Sequence, residues 1–239
     1  MVRRVARPLI SIPTYNEASN ILALVERVHE AAPEADVLVV DDASPDGTGD
    51  LVRTQILKDA RLEIMARPAK LGLGTAYMAG FAYGLQHGYT SVLTMDSDFS
   101  HPPERIPALI QAVDDGAHLS VGSRYVPGGA IEGWGMDRRV LSASANFVAR
   151  QILRLRTHDC TGGFRCYSIR ALQFLVTRPL RSSGYSALVE LLTRCERAGL
   201  TIVELPITFT DRARGQSKIS RQEIFRAMAT VLRLAGRRS

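Results

Sequence analysis

The sequence predicts an α/β protein built on a mostly parallel central sheet. Along its first half, short β-branched or leucine-rich runs alternate with helical patterns. Those runs are apolar throughout rather than alternately polar, as in strands covered on both faces. Polar residues, many of them carboxylates, stand immediately after them.

Residues 9–12 read as the first strand, and residues 19–32 as a helix with Ile21, Leu22, Leu24, Val25 and Val28 on one side. Ser19 or Asn20 is placed to cap that helix. Residues 37–40 form a second strand running into Asp41-Asp42, followed by a helix over 47–57, a strand over 62–65 and a helix over 74–86. A fourth strand over 92–95 ends on Asp96, and a helix over 103–113 precedes a strand over 119–122. Beyond Gly128-Gly129 the alternation weakens. Residues 140–155 read as a helix, 161–167 as a glycine-containing turn into an edge strand, and 187–198 as a helix. Pro206 interrupts a strand over 201–209 and so places it at an edge. A last helix covers 223–234, and with no repeat and no linker the chain reads as one domain.

Composition sets bounds on function. An apolar fraction of 46% and a charged fraction of 23% belong to an ordinary globular protein. No run approaches the roughly 18 apolar residues of a membrane span. The apolar run after the basic start is too short for a signal-peptide core, which predicts a cytoplasmic protein. Cys160, Cys166 and Cys195 lack the close pairing of a zinc site, and their odd number argues against a disulfide framework. The net charge of +6 is concentrated late: residues 201–239 carry eight Arg or Lys against three acids. Such a segment suits an anionic membrane surface or nucleic acid, or forms a solvated helix face.

In an open parallel sheet ligands bind beyond the carboxyl ends of the strands. The residues there are Pro13-Thr14-Tyr15-Asn16-Glu17, Asp41-Asp42-Ala43-Ser44, Asp96-Ser97-Asp98 and Ser123-Arg124-Tyr125. Asp96 and Asp98 can turn toward one point, and two converging carboxylates repel unless a cation lies between them. The next basic residue along the chain is Arg105. Hard oxygen donors of this kind suit Mg²⁺ or Mn²⁺ shared with substrate phosphates. Asp98 or Ser100 would equally cap the following helix. Asp42 can accept hydrogen bonds from a base or ribose, while Ser44-Pro45-Asp46-Gly47 is turn chemistry in its own right.

The blocks Ile12-Pro13-Thr14-Tyr15-Asn16-Glu17, Val40-Asp41-Asp42-Ala43-Ser44-Pro45-Asp46-Gly47-Thr48 and Met95-Asp96-Ser97-Asp98-Phe99-Ser100-His101-Pro102-Pro103 resemble family 2 glycosyltransferases of the GT-A fold. More narrowly, the chain resembles the dolichol-phosphate or polyprenol-phosphate mannose synthases. The likeness continues through Gly122-Ser123-Arg124-Tyr125, Trp134 with Arg138 and Arg139, and Thr161-Gly162-Gly163-Phe164-Arg165. It ends in Asp211-Arg212-Ala213-Arg214-Gly215-Gln216-Ser217-Lys218, the block that narrows the acceptor to a polyprenyl phosphate.

The resemblance implies a single GT-A domain over residues 1–239. A donor-binding half would cover about 8–125, an acceptor-facing half about 126–220 and a basic C-terminal helix about 221–236. It implies that Pro13, Tyr15, Glu17, Val40 and Asp42 surround the guanosine of GDP-mannose. Asp96 and Asp98 would hold the metal and the diphosphate, with Ser97 alongside. Ser100 stands where some relatives carry Gln as a further metal ligand, and a hydroxyl there binds more weakly or through water. Arg124, Arg138, Arg212 and Lys218 would surround the two phosphate groups, Arg139 being the alternative to Arg138. Relatives often carry Phe-Gln where this chain has Ala187-Leu188, whereas Glu190 matches. The implied reaction is direct displacement with inversion, giving a β-linked mannosyl phosphate from an α-linked donor.

An acceptor phosphate monoester is ionised near neutral pH, its second pKa being about 6, so no strong general base is required. His101 then reads as a structural turn residue. The acceptor implies a peripheral position at the cytoplasmic face of a membrane, with the last helix or a separate membrane-anchoring protein making the attachment. No nucleic acid partner is expected. The alternatives keep the fold with UDP-glucose or another donor or acceptor, make the chain a non-catalytic basic adaptor, or read Gly72-Leu73-Gly74 as part of a nicotinamide site. That last spacing does not continue as Gly-x-Gly-x-x-Gly and does not follow the first strand.

Overall fold

Strands β1 (Pro8–Thr14) and β2 (Asp36–Asp41) set the pattern of the whole molecule. Leu9, Leu38 and Val40 enter one buried cluster, while Ile10, Ile12, Val37 and Val39 enter another on the opposite face. Successive side chains of a strand point to opposite faces, so an uninterrupted apolar run is what a doubly covered sheet requires. The computed structural model of the chain describes residues 7–184, 186–211 and 230–236.

The order continues through α1 (Ile21–Ala31), α2 (Thr48–Ile56), β3 (Leu62–Ala66), α3 (Leu73–Gln86) and β4 (Ser91–Thr94). A 3-10 turn (Pro103–Arg105) leads into α4 (Ile106–Asp114), then β5 (Leu119–Ser123), β6 (Ala130–Glu132), α5 (Met136–Leu153) and β7 (Arg165–Ser168). The last elements with complete bounds are α6 (Ile169–Val176), α7 (Ser186–Arg197), β8 (Ile202–Pro206) and β9 (Thr208–Thr210). The central sheet runs β3-β2-β1-β4-β7-β5-β8, and only β7 opposes its neighbours. Strands β6 and β9 pair in a separate small sheet. Leu24, Val52 and Leu109 bring α1, α2 and α4 onto one face, and Phe81, Leu172 and Leu191 bring α3, α6 and α7 onto the other.

The expected alternation over residues 9–122 holds, with element ends moving by a residue or two. The second half departs more. The strand after Thr161-Gly162-Gly163 is not at an edge: β7 lies inside the sheet, antiparallel to both β4 and β5. Its reason is visible in its side chains, since Cys166 and Tyr167 are buried in opposite clusters and need cover on both sides. The edge position of β8 is as expected, and Pro206 ends it. Helix α6 and strand β6 were not foreseen. Of the expected last helix, residues 230–235 are helical and the rest lies outside the described residues. Cys160, Cys166 and Cys195 are free and buried, and burial pushes each thiol up to about 12, which makes them inert core groups.

Helix α3 approaches the sheet closely because it carries glycine where it crosses the strands. A Cβ on Gly80 would meet Ser11 Oγ at 2.3 Å, and one on Gly84 would meet Val92 Cγ2 at 2.4 Å. Gly80→Val should therefore cost about 2 kcal/mol through overpacking. Urea unfolding followed by circular dichroism measures this, and an unchanged midpoint would refute the close approach.

Candidate active site

The loops after β1, β2, β4 and β5 leave the same end of the sheet. In the first three, one non-glycine residue has a positive φ: Asn16 (62°), Ala43 (53°) and Phe99 (61°). Left-handed backbone at such residues costs on the order of 1 kcal/mol or more and persists where surrounding bonds hold it. Here those bonds tie loop to loop. Asn16 N donates to Ser44 Oγ (3.0 Å), Glu17 N to Thr48 Oγ1 (3.0 Å) and Ala18 N to Asp46 Oδ2 (3.0 Å).

Asp41 and Asp42 have different roles. Asp41 accepts from Thr14 Oγ1 (2.8 Å) and Ser44 N (3.1 Å), so it builds the turn that the Ser-Pro-Asp-Gly pattern suggested. Asp42 is buried against Arg67, which bonds one carboxylate oxygen while Gly72 N donates to the other at 2.8 Å. Arg67 also donates to Thr75 Oγ1 (2.7 Å) and Gly72 O (3.2 Å), fastening the loop between β3 and α3 beside Asp42. Lys70 from that loop sits 3.8 Å over the Tyr15 ring. Pro13 is half-buried at the end of β1. Val40 is fully buried within β2, in register with Pro13 and Met65, so its side chain packs in the core.

Beyond β4, Asp96, Ser97, Asp98 and Ser100 form one loop. Ser100 donates from both N (3.1 Å) and Oγ (2.6 Å) to Asp98 Oδ1, holding a carboxylate that is only 4% exposed. The capping alternative is not realised: the 3-10 turn has no side-chain cap. His101 is buried, stacks on Phe164 at 5.1 Å, and accepts the Asp96 N–H at Nδ1 (3.0 Å). Burial lowers its pKa and outweighs the opposing pull of Asp96 and Asp98, so the imidazole is neutral and acts as a structural residue.

The carboxylates do not lack a basic neighbour. Arg105, the next cation along the chain, bonds Pro206 O at 2.6 Å, but Arg124 arrives from β5 within electrostatic reach of Asp96. Its guanidinium is buried and held as a fork by Asp159, Nε to Oδ2 and Nη2 to Oδ1 both at 2.7 Å. Nη2 also reaches Thr161 Oγ1 at 2.9 Å. Burial alone would raise the Asp159 carboxyl, yet the charge and hydrogen bonds of Arg124 hold it below its ordinary value. Asp159 and Arg67 were not singled out in the sequence, because their partners lie 35 and 25 residues away. The neighbouring glycines carry a weak trace of Asp159. A Cβ on Gly162 would meet its carboxylate at 3.2 Å, and one on Gly163 would come 2.7 Å from Tyr77 Oη and 3.4 Å from Asp96 Oδ1.

At the outer rim Arg138, rather than Arg139, packs on Trp134 at 3.9 Å and pairs with Asp211 at 2.9 Å. Arg139 is exposed. Arg212 and Lys218 lie outside the described residues, although Asp211 N donates to Glu132 O at 3.0 Å and so fixes the chain just before Arg212. Glu190 accepts from Ser182 N (2.8 Å) and pairs with Arg194, tying down the segment ahead of α7, while Ala187 and Leu188 are core residues.

This arrangement, with carboxylates and a buried guanidinium at the carboxyl ends of parallel strands, is accompanied by a match of residues 9–175, more than half of the chain, to the glycosyl transferase family 2 model. The chain belongs to glycosyl transferase family 2. It is 46% identical over 96% of its length to a polyprenol monophosphomannose synthase of Mycolicibacterium smegmatis, covering 87% of that protein. It is 43% identical over 95% of its length to an undecaprenyl-phosphate mannosyltransferase of Micrococcus luteus, covering 93% of it. Among solved structures, glucosyl-3-phosphoglycerate synthase of Mycobacterium tuberculosis with Mn²⁺ and UDP shares the fold at a TM-score of 0.71 and 18% identity, over 98% of this chain and 81% of that one. The same enzyme has been solved with Mg²⁺ and UDP. This family 2 member thus has the GT-A architecture and a mostly parallel sheet, as its motifs implied.

Asp159→Asn leaves the Arg124 guanidinium buried without its counter-charge and should cost about 3 kcal/mol at neutral pH. The folded carboxyl titrates below its ordinary value of 3.8, so its contribution is present above that pH and lost as the pH falls. Urea unfolding should show the gap between wild type and variant closing below about pH 4. A gap independent of pH would contradict the pairing.

Proposed function

We propose that the chain transfers mannose from GDP-mannose to a polyprenyl monophosphate, with inversion at the anomeric carbon. What carries this reading is the meeting of Asp96, Asp98 and Arg124 in a chain whose relatives are named for polyprenol and undecaprenyl-phosphate mannose transfer. An acceptor phosphate oxygen bonds to mannose C1 as the bond from C1 to the diphosphate oxygen breaks, and GDP leaves with that electron pair. Because the phosphate monoester is already ionised, no proton needs a base.

The work of the protein is then charge control. At an effective dielectric near 20, two unit charges 4 Å apart interact by about 4 kcal/mol. Donor diphosphate and acceptor phosphate therefore need several cations between them. Arg138, oriented by Trp134 and Asp211, supplies a fork that matches phosphate oxygens, while Arg124, whose Nε and Nη2 are taken by Asp159 and Thr161, offers its charge and the Nη1 donors. Arg212 and Lys218 complete the set on this reading. Tyr15, Glu17 and Asp42 receive the guanosine, Asp42 through lone pairs left by Arg67 and Gly72, and Pro13 and Val40 shape the floor beneath.

The donor set at Asp96 and Asp98, with the Ser100 hydroxyl beside Asp98, is all hard oxygen and fits Mg²⁺ or Mn²⁺. Among the described residues no three His, Cys, Asp or Glu side chains form a cage, so such an ion would take further ligands from the diphosphate and water. When bound it would supply Lewis-acid stabilisation of the leaving diphosphate.

Radiolabel from GDP-mannose should enter an organic-extractable lipid, with UDP-glucose giving little. EDTA should abolish the transfer, and Asp98→Ala should lower it by a factor of about 1,000, an electrostatic loss of about 4 kcal/mol. Retained activity in that variant would overturn the site. Arg138→Ala should raise KM for the prenyl phosphate while leaving GDP-mannose binding within about twofold.

A further inference from the structure

Among the described residues, the largest side chain buried completely is a charged one, Arg165 at the start of β7. Charged side chains are almost never sealed from water unless an opposite charge meets them. Among the described residues Arg165 has no ion pair of its own. Its Nη1 donates to Leu188 O in α7 (2.8 Å) and its Nη2 to Cys160 O (2.9 Å), both neutral carbonyls, and Nε has no hydrogen-bond partner. The carboxylate within electrostatic reach is a shared one. Asp159, next to Cys160, already holds the Arg124 fork. Burial works to raise the Asp159 carboxyl, and the charges of Arg124 and then Arg165 work to lower it. Two buried guanidinium groups therefore stand on one buried carboxylate, and the trio keeps a net positive charge.

The sheet sets this charge beneath the site. Arg165 is in register with Thr94 on β4, two residues before Asp96, and with Val121 on β5, three residues before Arg124. Above it the balance is unfavourable for an anion. Asp96, Asp98 and Asp159 all act on the neutral His101 together with Arg124, three carboxylates against one guanidinium. Arg124 and Asp159 largely cancel as a pair, so their fork alone would present little net charge to a phosphate. We propose that Arg165 is an electrostatic positioning residue: it offsets Asp159 from below and leaves the charge of Arg124 for the diphosphate of the donor. This rests on the nucleotide-sugar reading and deepens it, since Arg165 lies under the surface and acts through Asp159 and Arg124. Burial makes such a charge effective at a distance, because water and salt screen it little. A purely structural stitch between the turn before β7 and α7 leaves the charge without a use. Neutral donors would serve two carbonyls without the desolvation cost of a buried ion.

The test uses the full-length protein with Mg²⁺ and two variants. Arg165→Met fills the volume without a charge, and Arg165→Gln keeps an amide donor for one of the carbonyls. Ligand-detected NMR titration gives the dissociation constants of GDP, UDP and the uncharged nucleosides guanosine and uridine. Whichever diphosphate wild type binds, both variants should bind it about tenfold more weakly. The matching nucleoside should stay within about twofold, because it has no charge to lose. A structural role moves both ligands together, so equal losses for diphosphate and nucleoside would overturn the proposal. An unchanged diphosphate affinity would overturn it as well, and so would a wild type that binds neither diphosphate more tightly than its nucleoside. Failure of both variants to fold, read by circular dichroism, would make Arg165 a structural stitch and overturn it too. A selective loss seen on UDP, with GDP not bound, would keep the role of Arg165 and remove guanosine from the proposed donor. A selective loss on GDP, with no mannosyl transfer by wild type to any prenyl phosphate, would keep it and remove the proposed acceptor, so the readings fail separately.

Discussion

The Arg124–Asp159 pair is the interaction on which the two halves of the chain depend. Arg124 directly follows β5, the strand that closes the first half, and Asp159 stands in the turn before β7, so their fork of two 2.7 Å bonds crosses from one half to the other. Neither group tolerates burial alone. A guanidinium with no counter-charge, or a carboxylate with none, would carry a desolvation cost of several kcal/mol. The pair is also pinned by backbone: Asp159 accepts the N–H groups of Arg124 (3.1 Å) and Gly162 (2.9 Å) as well as the side chain. It therefore fixes where β5 ends, where the glycine turn begins and which way the guanidinium faces.

That pairing gives the antiparallel strand its purpose. All the other strands of the central sheet run one way and deliver their following loops to one end. A strand running the same way would have carried its preceding turn to the opposite end. Because β7 opposes β4 and β5, the turn before it arrives among the loops that follow its neighbours. Thr94 Oγ1 donates to Gly163 O (2.7 Å), closing the turn onto β4 two residues before Asp96. The absence of a Cβ at Gly163 then leaves room for the Asp96 carboxylate and the Tyr77 hydroxyl.

What was legible in the sequence follows from this division. The first half announces itself because β1, β2, β4 and β5 are buried on both faces and its helices have one apolar side, so periodicity alone separates them. The carboxylates were found by position, at the ends of parallel strands. Arg67, Asp159 and the interior place of β7 were not found, because each depends on a partner many residues away rather than on a local period. Helix α5 shows the limit most clearly. Its helical span was readable near residue 140, but periodicity gives a face without saying whether that face turns inward, and here Asn146 is buried while Phe147 is exposed.

The same contrast explains how rigidity is distributed. Around the proposed nucleotide side, the left-handed residues Asn16 and Ala43 lie in loops joined by the bond from Asn16 N to Ser44 Oγ and flanked by the Asp42–Arg67 pair, so that shape is set by the chain itself. Pre-formed polar groups of that kind stabilise developing charge without reorganising at the moment of reaction. On the proposed acceptor side Arg138 is held by an ion pair whose two side chains remain 27% and 38% exposed, and by a tryptophan face. An exposed pair contributes little to stability, so on the proposed function a phosphate would take over Arg138 from Asp211 at small cost. On the proposed function, a fixed donor pocket beside an exchangeable acceptor clamp would suit two substrates of unequal character: a nucleotide sugar that must be held in one pose, and a lipid phosphate that must enter and leave.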